Sequence, residues 1–319
     1  MTSVPAVYDV LTVGEPMVLF MATEPGPLDS VSNFARAAAG ADLNVAIGLS
    51  RLGLRTAYAT RLGNDSFGRY LTAELQRNGI GTELVTVDDK HRTAFMLKTR
   101  NVDGSDPQIE YFRAGSAASH LGIDDLPTGF PARHLHITGI TPALSESTHA
   151  LVFELMSRAR VAGASISFDP NLRPALWPSK DVMVDSLNRI AAHADLVLPG
   201  IAEGEILTGF RDPASIADFY MNHGARQVVV KLGAEGAYYQ FRHLHANHHG
   251  HVPGVPVTQI VDTVGAGDGF AVGVISGLLE GLALPDAIAR GNTIGARVVQ
   301  FPGDSDGLPT RTQLGLRPR

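Results

Sequence analysis

The sequence predicts an α/β fold: a mostly parallel central sheet covered by helices on both faces, three layers in all, with a small β-sheet projecting from it. Three observations carry that expectation. Short apolar runs alternate with stretches of helical periodicity, as they do where crossover helices bury both faces of parallel strands. No internal repeat, low-complexity tract or long linker divides the chain, so 1–319 reads as a single domain. One region breaks the rhythm: residues of about 15–35 and 91–114 are strand-like, with a turn-rich tract inside the second segment.

Taken in order, Val10–Val13 is the first core strand, followed by small-sheet strands from 15–35. Leu43, Ile47 and Leu54 recur at helical spacing, which predicts a helix over 41–52 stopped by Gly53. Ala57–Thr60 is a core strand, and the helix over 65–78 ends in the same way at Gly79. Thr93–Thr99 and Gln108–Arg113 flank the turn-rich Asn101-Val102-Asp103-Gly104-Ser105-Asp106, which predicts a hairpin. Asp124 and Asp125, between Gly122 and Pro127, read as charges at a helix start. Leu135–Thr138, Ser165–Phe168, Leu196–Leu198 and Val228–Leu232 complete the core strands. His243, His245, His248, His249 and His251 are dense but lack fixed ligand spacing, so they read as a solvent-facing hairpin tip rather than a metal site. Pro285 is placed to begin a last helix running to about Val299.

Bulk properties narrow the function. An apolar fraction of 44% and a charged fraction of 18% suit a globular chain. A formal charge of −6 leaves no basic stripe for nucleic acid. No apolar run approaches the roughly 18 residues of a membrane span. The N-terminus has no basic region followed by a cleavable apolar segment, so a cytoplasmic enzyme is expected. With no cysteine, disulfides, thiolate metal sites and a cysteine nucleophile are excluded.

The chemistry concentrates in Asp262-Thr263-Val264-Gly265-Ala266-Gly267-Asp268, which runs into the apolar helix-like stretch 270–279. Small residues at 265–267 allow a tight turn and close approach of the backbone to a ligand. The free N–H groups and positive dipole end of the following helix favour an anion. An Asp in such a cradle would repel a phosphate unless it serves the chemistry, as the base that takes a proton from an attacking hydroxyl. No G-x-x-x-x-G-K-[ST] is present, which excludes a P-loop kinase. A dinucleotide fingerprint fails on spacing, because Phe270 stands where the third glycine belongs.

The same seven residues match the D-T-x-G-A-G-D pattern of the ribokinase-like (PfkB) carbohydrate kinases. Gly40-Ala41-Asp42-Leu43-Asn44-Val45-Ala46 with Ser50-Arg51-Leu52-Gly53, and Arg61-Leu62-Gly63-Asn64-Asp65-Ser66-Phe67-Gly68, resemble two further blocks of that family. The resemblance implies a ribokinase-like fold, ATP as phosphoryl donor and Mg²⁺, while the projecting small sheet itself reads as a lid over the substrate whose exposed apolar face a second subunit can cover. A monovalent cation is a further option that the residues do not decide. It implies Asp268 as general base, the amides of Gly265, Ala266 and Gly267 as anion hole, and Thr263, Lys231, Gly233, Gly236 and Asn292 along ATP. The family's N-x-x-E metal motif keeps its acid as Glu203 but has Gly200 in place of the amide; a carboxylate suits Mg²⁺ or its water shell.

On the acceptor side the resemblance places Gly40 and Asn44 against the sugar. Tyr111-Phe112-Arg113-Ala114-Gly115-Ser116-Ala117-Ala118 and Phe168-Asp169-Pro170-Asn171-Leu172-Arg173-Pro174 are similar to 2-keto-3-deoxygluconate kinases in particular. In those enzymes the matching arginines hold a keto-acid, and a guanidinium fork suits a carboxylate. Arg113 and Arg173 are therefore the candidate carboxylate ligands; the competing expectation is pairing with Glu110 or Asp169. Met96 stands where those kinases often carry a substrate-contacting tyrosine, and Tyr111 can supply a contact instead. The expected reaction is ATP-dependent phosphorylation of a sugar acid to its 6-phosphate. A neutral-sugar or nucleoside kinase, or a catalytically silent sugar-binding regulator, are the alternatives.

Overall fold

The computed structural model describes residues 7–101, 107–244 and 246–318. In chain order its elements are β1 (Tyr8–Val13), β2 (Met17–Pro25), β3 (Phe34–Ala39), α1 (Ala41–Arg51), β4 (Thr56–Gly63), α2 (Ser66–Arg77), β5 (Val85–Asp88), β6 (Phe95–Arg100) and β7 (Ile109–Phe112). There follow β8 (Ala132–Thr138), α3 (Glu146–Val161), β9 (Ser165–Asp169), α4 (Lys180–Ala191), β10 (Leu196–Val197), α5 (Ile201–Thr208), α6 (Pro213–Asn222) and β11 (Gln227–Lys231). The last are β12 (Gly236–His243), β13 (Ala246–Pro253), α7 (Ala266–Leu279) and α8 (Leu284–Val298).

Nine strands form the large sheet in the order β13-β12-β11-β10-β9-β8-β1-β4-β5. Pairing is parallel from β11 to β5 and antiparallel only at the β12 and β13 edge. Alternation along β1 shows why its run is continuously apolar. Leu11 and Val13 enter one core with Leu151, Leu155, Leu187 and Ile216 of α3, α4 and α6. Val10 enters the other, with Ile47, Val272, Ile275 and Ile294 of α1, α7 and α8. A strand buried on both faces has no polar alternation to show.

The second sheet has the order β3-β2-β6-β7. One face, with Phe20 and Phe95, packs edge-on against Phe67 of α2. The opposite face carries Met17, Leu19 and Met96 and turns toward the carboxyl ends of β8, β9 and β11. Those ends are where open α/β sheets hold ligands.

The six expected core strands are present with bounds within three residues, and the helices at 41–52, 65–78 and 285–299 with bounds within one. Asp65 caps α2 by accepting from Gly68 N–H at 2.8 Å, and Pro285 sits in the first turn of α8. Residues 102–106 of the expected hairpin turn, and His245, lie outside the described residues. The histidine segment differs from expectation. His248, His249 and His251 belong to β13, paired with Phe241, Gln240 and Tyr238 of β12, and His243 closes β12. They are edge-strand residues rather than a connecting tip, and no metal-holding cluster occurs among the described residues. Asp124 and Asp125 begin only a 3₁₀ turn, Ile123–Asp125, where Asp125 accepts from Gly122 N–H at 2.8 Å. No described helix is long and apolar enough to cross a membrane.

Candidate active site

A cavity of about 270 Å³ opens between the small sheet and the strand ends, and Asp268 lies at its floor. The loop into α7 creates this position. Gly265 is the N-cap of α7 at φ 82°, and a Cβ there would run into the Asp304 carbonyl, so only glycine fits the turn. Asp268 follows in the first helical turn, 7% exposed. Its Oδ2 accepts from Asn44 Nδ2 at 2.8 Å and its Oδ1 from Asn171 Nδ2 at 3.4 Å. Burial, with the nearby Asp169 and Asp304 charges, raises its carboxyl to about 7, although the Asn44 hydrogen bond works the other way.

Asn44 reaches Asp268 because α1 starts directly after β3 through Gly40. That glycine has φ 141°, and a Cβ would stand 2.8 Å from the Glu15 carbonyl. Asp42, on the same first turn, is bonded by Thr138 N–H at 3.2 Å and Thr138 Oγ1 at 2.9 Å. Burial raises Asp42 to about 8, and the Asp268 charge adds to the shift.

At the strand ends, Lys231 Nζ lies 2.6 Å from Asp169 Oδ2. Burial opposes the ammonium charge, but Asp169 and Glu203 outweigh it and hold Lys231 above the ordinary lysine value. Glu203 is fixed by backbone: its Oε2 accepts from Gly200 N–H at 2.7 Å and its Oε1 from Leu172 N–H at 2.8 Å. With no side chain at 200, the Gly200 N–H itself does the anchoring.

The two arginines are placed differently. Arg113 forms a buried ion pair with Glu15 at 2.5 Å, and Ser116 Oγ donates to the same carboxylate. Its acidic partner is therefore Glu15 on the β1–β2 connection, not neighbouring Glu110. Asp169 is taken by Lys231, and Arg173 donates to the Leu172 carbonyl at 2.9 Å with no ion pair among the described residues.

Of the residues expected from sequence, the cavity gathers Gly40, Asn44, Met96, Tyr111, Arg113 and Arg173 from the acceptor set. It also gathers Glu203, Lys231, Thr263, Gly265, Gly267 and Asp268. Gly233 and Gly236, at φ 61° and 99°, shape the β11–β12 turn and do not line it. Neither does Asn292, whose Nδ2 donates to the Val252 and Pro253 carbonyls at 3.2 and 2.9 Å and ties α8 to β13. Sequence reasoning missed Asn171, Asp169, Glu15 and Asp42. Asn171 had one usable signal, an Asn directly after Pro170; it adopts φ 41°, a region Asn tolerates better than most residues.

Comparison with known proteins fits this geometry. Residues 8–311 match the profile of the pfkB family carbohydrate kinases. The chain is 48% identical over 309 residues to 2-dehydro-3-deoxygluconokinase of Bacillus subtilis, covering 96% of this chain and 94% of the relative. The crystal structure of a PfkB protein from Polaromonas sp. JS666 superposes with a TM-score of 0.89 at 49% identity, covering 98% of this chain and 100% of that one. Fructokinase from Vibrio cholerae O395, solved with fructose, ADP and calcium ion, superposes with a TM-score of 0.84 at 26% identity over 97% of this chain and 98% of its own.

Proposed function

Because this chain belongs to the pfkB family of carbohydrate kinases, we propose that it phosphorylates 2-keto-3-deoxygluconate on its primary hydroxyl, with ATP as donor. The observation that carries the reading is Asp268: a buried carboxylate at the start of α7, oriented by Asn44 and Asn171, facing a cavity that also holds an arginine with no acidic partner among the described residues.

In the proposed step, the acceptor hydroxyl gives its proton to Asp268 while its oxygen attacks the γ-phosphorus and ADP leaves. The Gly265, Ala266 and Gly267 amides stabilise charge on the transferring oxygens. Lys231 Nζ stands beside Gly267; Gly233, Gly236 and Asn292 mark the nucleotide side outside the acceptor cavity, with Thr263 between the two. Mg²⁺ fits the carboxylates Glu203 and Asp169, hard oxygen donors already turned to the cavity, and would supply charge neutralisation at the phosphates. Glu203 would hold it through water.

Gly40 and Asn44 meet the sugar, with Met96 and Tyr111 closing over it from the small sheet. Arg173 takes the carboxylate, because a guanidinium facing a cavity with no ion pair among the described residues is stabilised by an arriving anion. Arg113, already matched by Glu15, donates beside it. The small sheet acts as lid and as the contact to a second copy. ATP chemistry and the absence of cysteine support a cytoplasmic setting.

A panel of sugar acids and neutral sugars, assayed by ADP release, tests the substrate. The keto-acid should exceed fructose or ribose in kcat/KM by about 10⁴, because a site built to pair a carboxylate leaves its guanidinium unmatched with a neutral sugar. Arg173→Met should raise KM for the acid and leave the poor neutral substrates unchanged. Equal use of fructose and the acid by the wild type would transfer the assignment to a neutral-sugar kinase.

A further inference from the structure

We propose that Lys98, on the small sheet, is a positioning residue for the phosphoryl cradle: its ammonium is the built-in cation that holds in register the two carboxylates, Asp262 and Asp304, on either side of residues 263–267. The inference rests on the cradle reading above and adds to it a residue outside every motif singled out in the sequence.

Lys98 is 3% exposed, yet no water-facing role explains it. Its Nζ lies 2.5 Å from Asp262 Oδ2 and 3.0 Å from Asp304 Oδ1. Asp262 spends its other oxygen on the cradle, accepting from Val264 N–H at 3.0 Å. Asp304 presses on the cradle from the opposite side, because its carbonyl occupies the space a side chain at Gly265 would need. One ammonium thus grips both sides of the turn that aims the Gly265–Gly267 amides. Met96, two residues earlier on β6 and on the same face, lines the acceptor cavity. A single strand therefore touches acceptor and cradle at once.

Stability alone is a poor account of this cluster, since apolar residues of similar volume commonly replace buried ion pairs without loss. Electrostatics at the cradle gives a better one. Two carboxylates next to a phosphoryl site repel the incoming anion and each other, and a fixed cation offsets both effects. Burial disfavours the ammonium, but Asp304 and Asp262 outweigh it and keep Lys98 above its ordinary value, so it stays charged.

The test is Lys98→Ala, assayed beside wild type and Asp268→Asn, with folding checked by thermal melt and ADP binding by calorimetry. Lys98→Ala should lose about 10²-fold in kcat, the scale of a misplaced catalytic group, with KM for ATP and sugar acid close to wild type. Ammonium or potassium chloride should restore at least ~10-fold of the loss, whereas tetramethylammonium chloride, too large for the gap, should not, and wild type should respond to none of them. Normal kcat, or a loss that neither small cation restores, overturns the proposal. If Lys98→Ala does not fold, Lys98→Met/Asp262→Asn removes one charge of each sign; it should show the same kcat loss, and normal turnover there also overturns the idea. Asp268→Asn separates the two levels: its inactivity beside an active Lys98→Ala leaves the cradle intact and removes only Lys98, whereas an active Asp268→Asn removes the cradle itself.

Discussion

Asp268 is a carboxylate that the fold holds nearly out of water, and a general base works only as the anion. Its carboxyl, raised to about 7, loses its proton near neutral pH. In the proposed role, Asp268 below that value is protonated and cannot take the proton, so kcat/KM should climb with pH through about 7 and level off above it. Asp268→Asn should cut kcat by about 10²–10⁴ with ATP affinity kept, and should abolish that limb of the profile. A wild-type profile that is flat across neutral pH would place the proton acceptor elsewhere. Asp268 and Asn44 were legible in the sequence because each sits at a fixed place in a glycine-bearing motif. Asp169 and Glu15 were not. Asp169 meets Lys231 across two parallel strands, 62 residues apart in the chain, and Arg113 bypasses neighbouring Glu110 for Glu15. Partner choice for a buried charge is set by strand order, which no local pattern records.

The elements divide in the same way. Strands buried on both faces were readable as apolar runs, and helices such as α1 by spacing and a terminal glycine. β5, four residues at the sheet edge, and β10, of two residues, are too short to show a period. β13 is polar on both faces, Asn-His-His-Gly-His, and owes its strand state to pairing with β12 rather than to its own composition. The small sheet has an edge of its own. β7 is its last strand, and it leaves Tyr111 and Phe112 exposed at 43% and 46%. An unpaired edge flanked by aromatic side chains is a surface that chains avoid leaving bare. Phe112 stacks on Phe95 at 4.5 Å and leaves its other side exposed. We therefore expect sedimentation to give a dimer for the wild type and a monomer for Phe112→Asp, with melting temperature nearly kept. A wild-type monomer at micromolar concentration would count against the small sheet as a subunit contact.

Across the whole molecule, the cavity works against the stability of the fold that builds it. Asp268 and Asp42 are raised to about 7 and about 8, chiefly by burial. Each therefore binds a proton more tightly folded than unfolded. The stability they contribute is full below the unfolded carboxylate value of about 4 and is lost as pH rises through the folded values. If Asp268 is the proposed base, activity should rise as this stability is lost, since the carboxylate that takes the proton is also the form whose burial is costly. Asp268→Asn isolates this effect, because the amide resembles the protonated acid and never charges. Below about pH 4, where the wild-type carboxyl keeps its proton folded or unfolded, the variant and wild type should melt together. By pH 8 the variant should be the more stable, by at least about 1 kcal/mol or ~2 °C for a chain of this size. The gap should narrow when a bound sugar acid and ATP supply the groups that the ionised carboxylate faces during turnover. Scanning calorimetry across that range decides the point: a difference between the two proteins that does not change with pH would mean that Asp268 is solvated in the free enzyme, and that the cavity imposes no such cost.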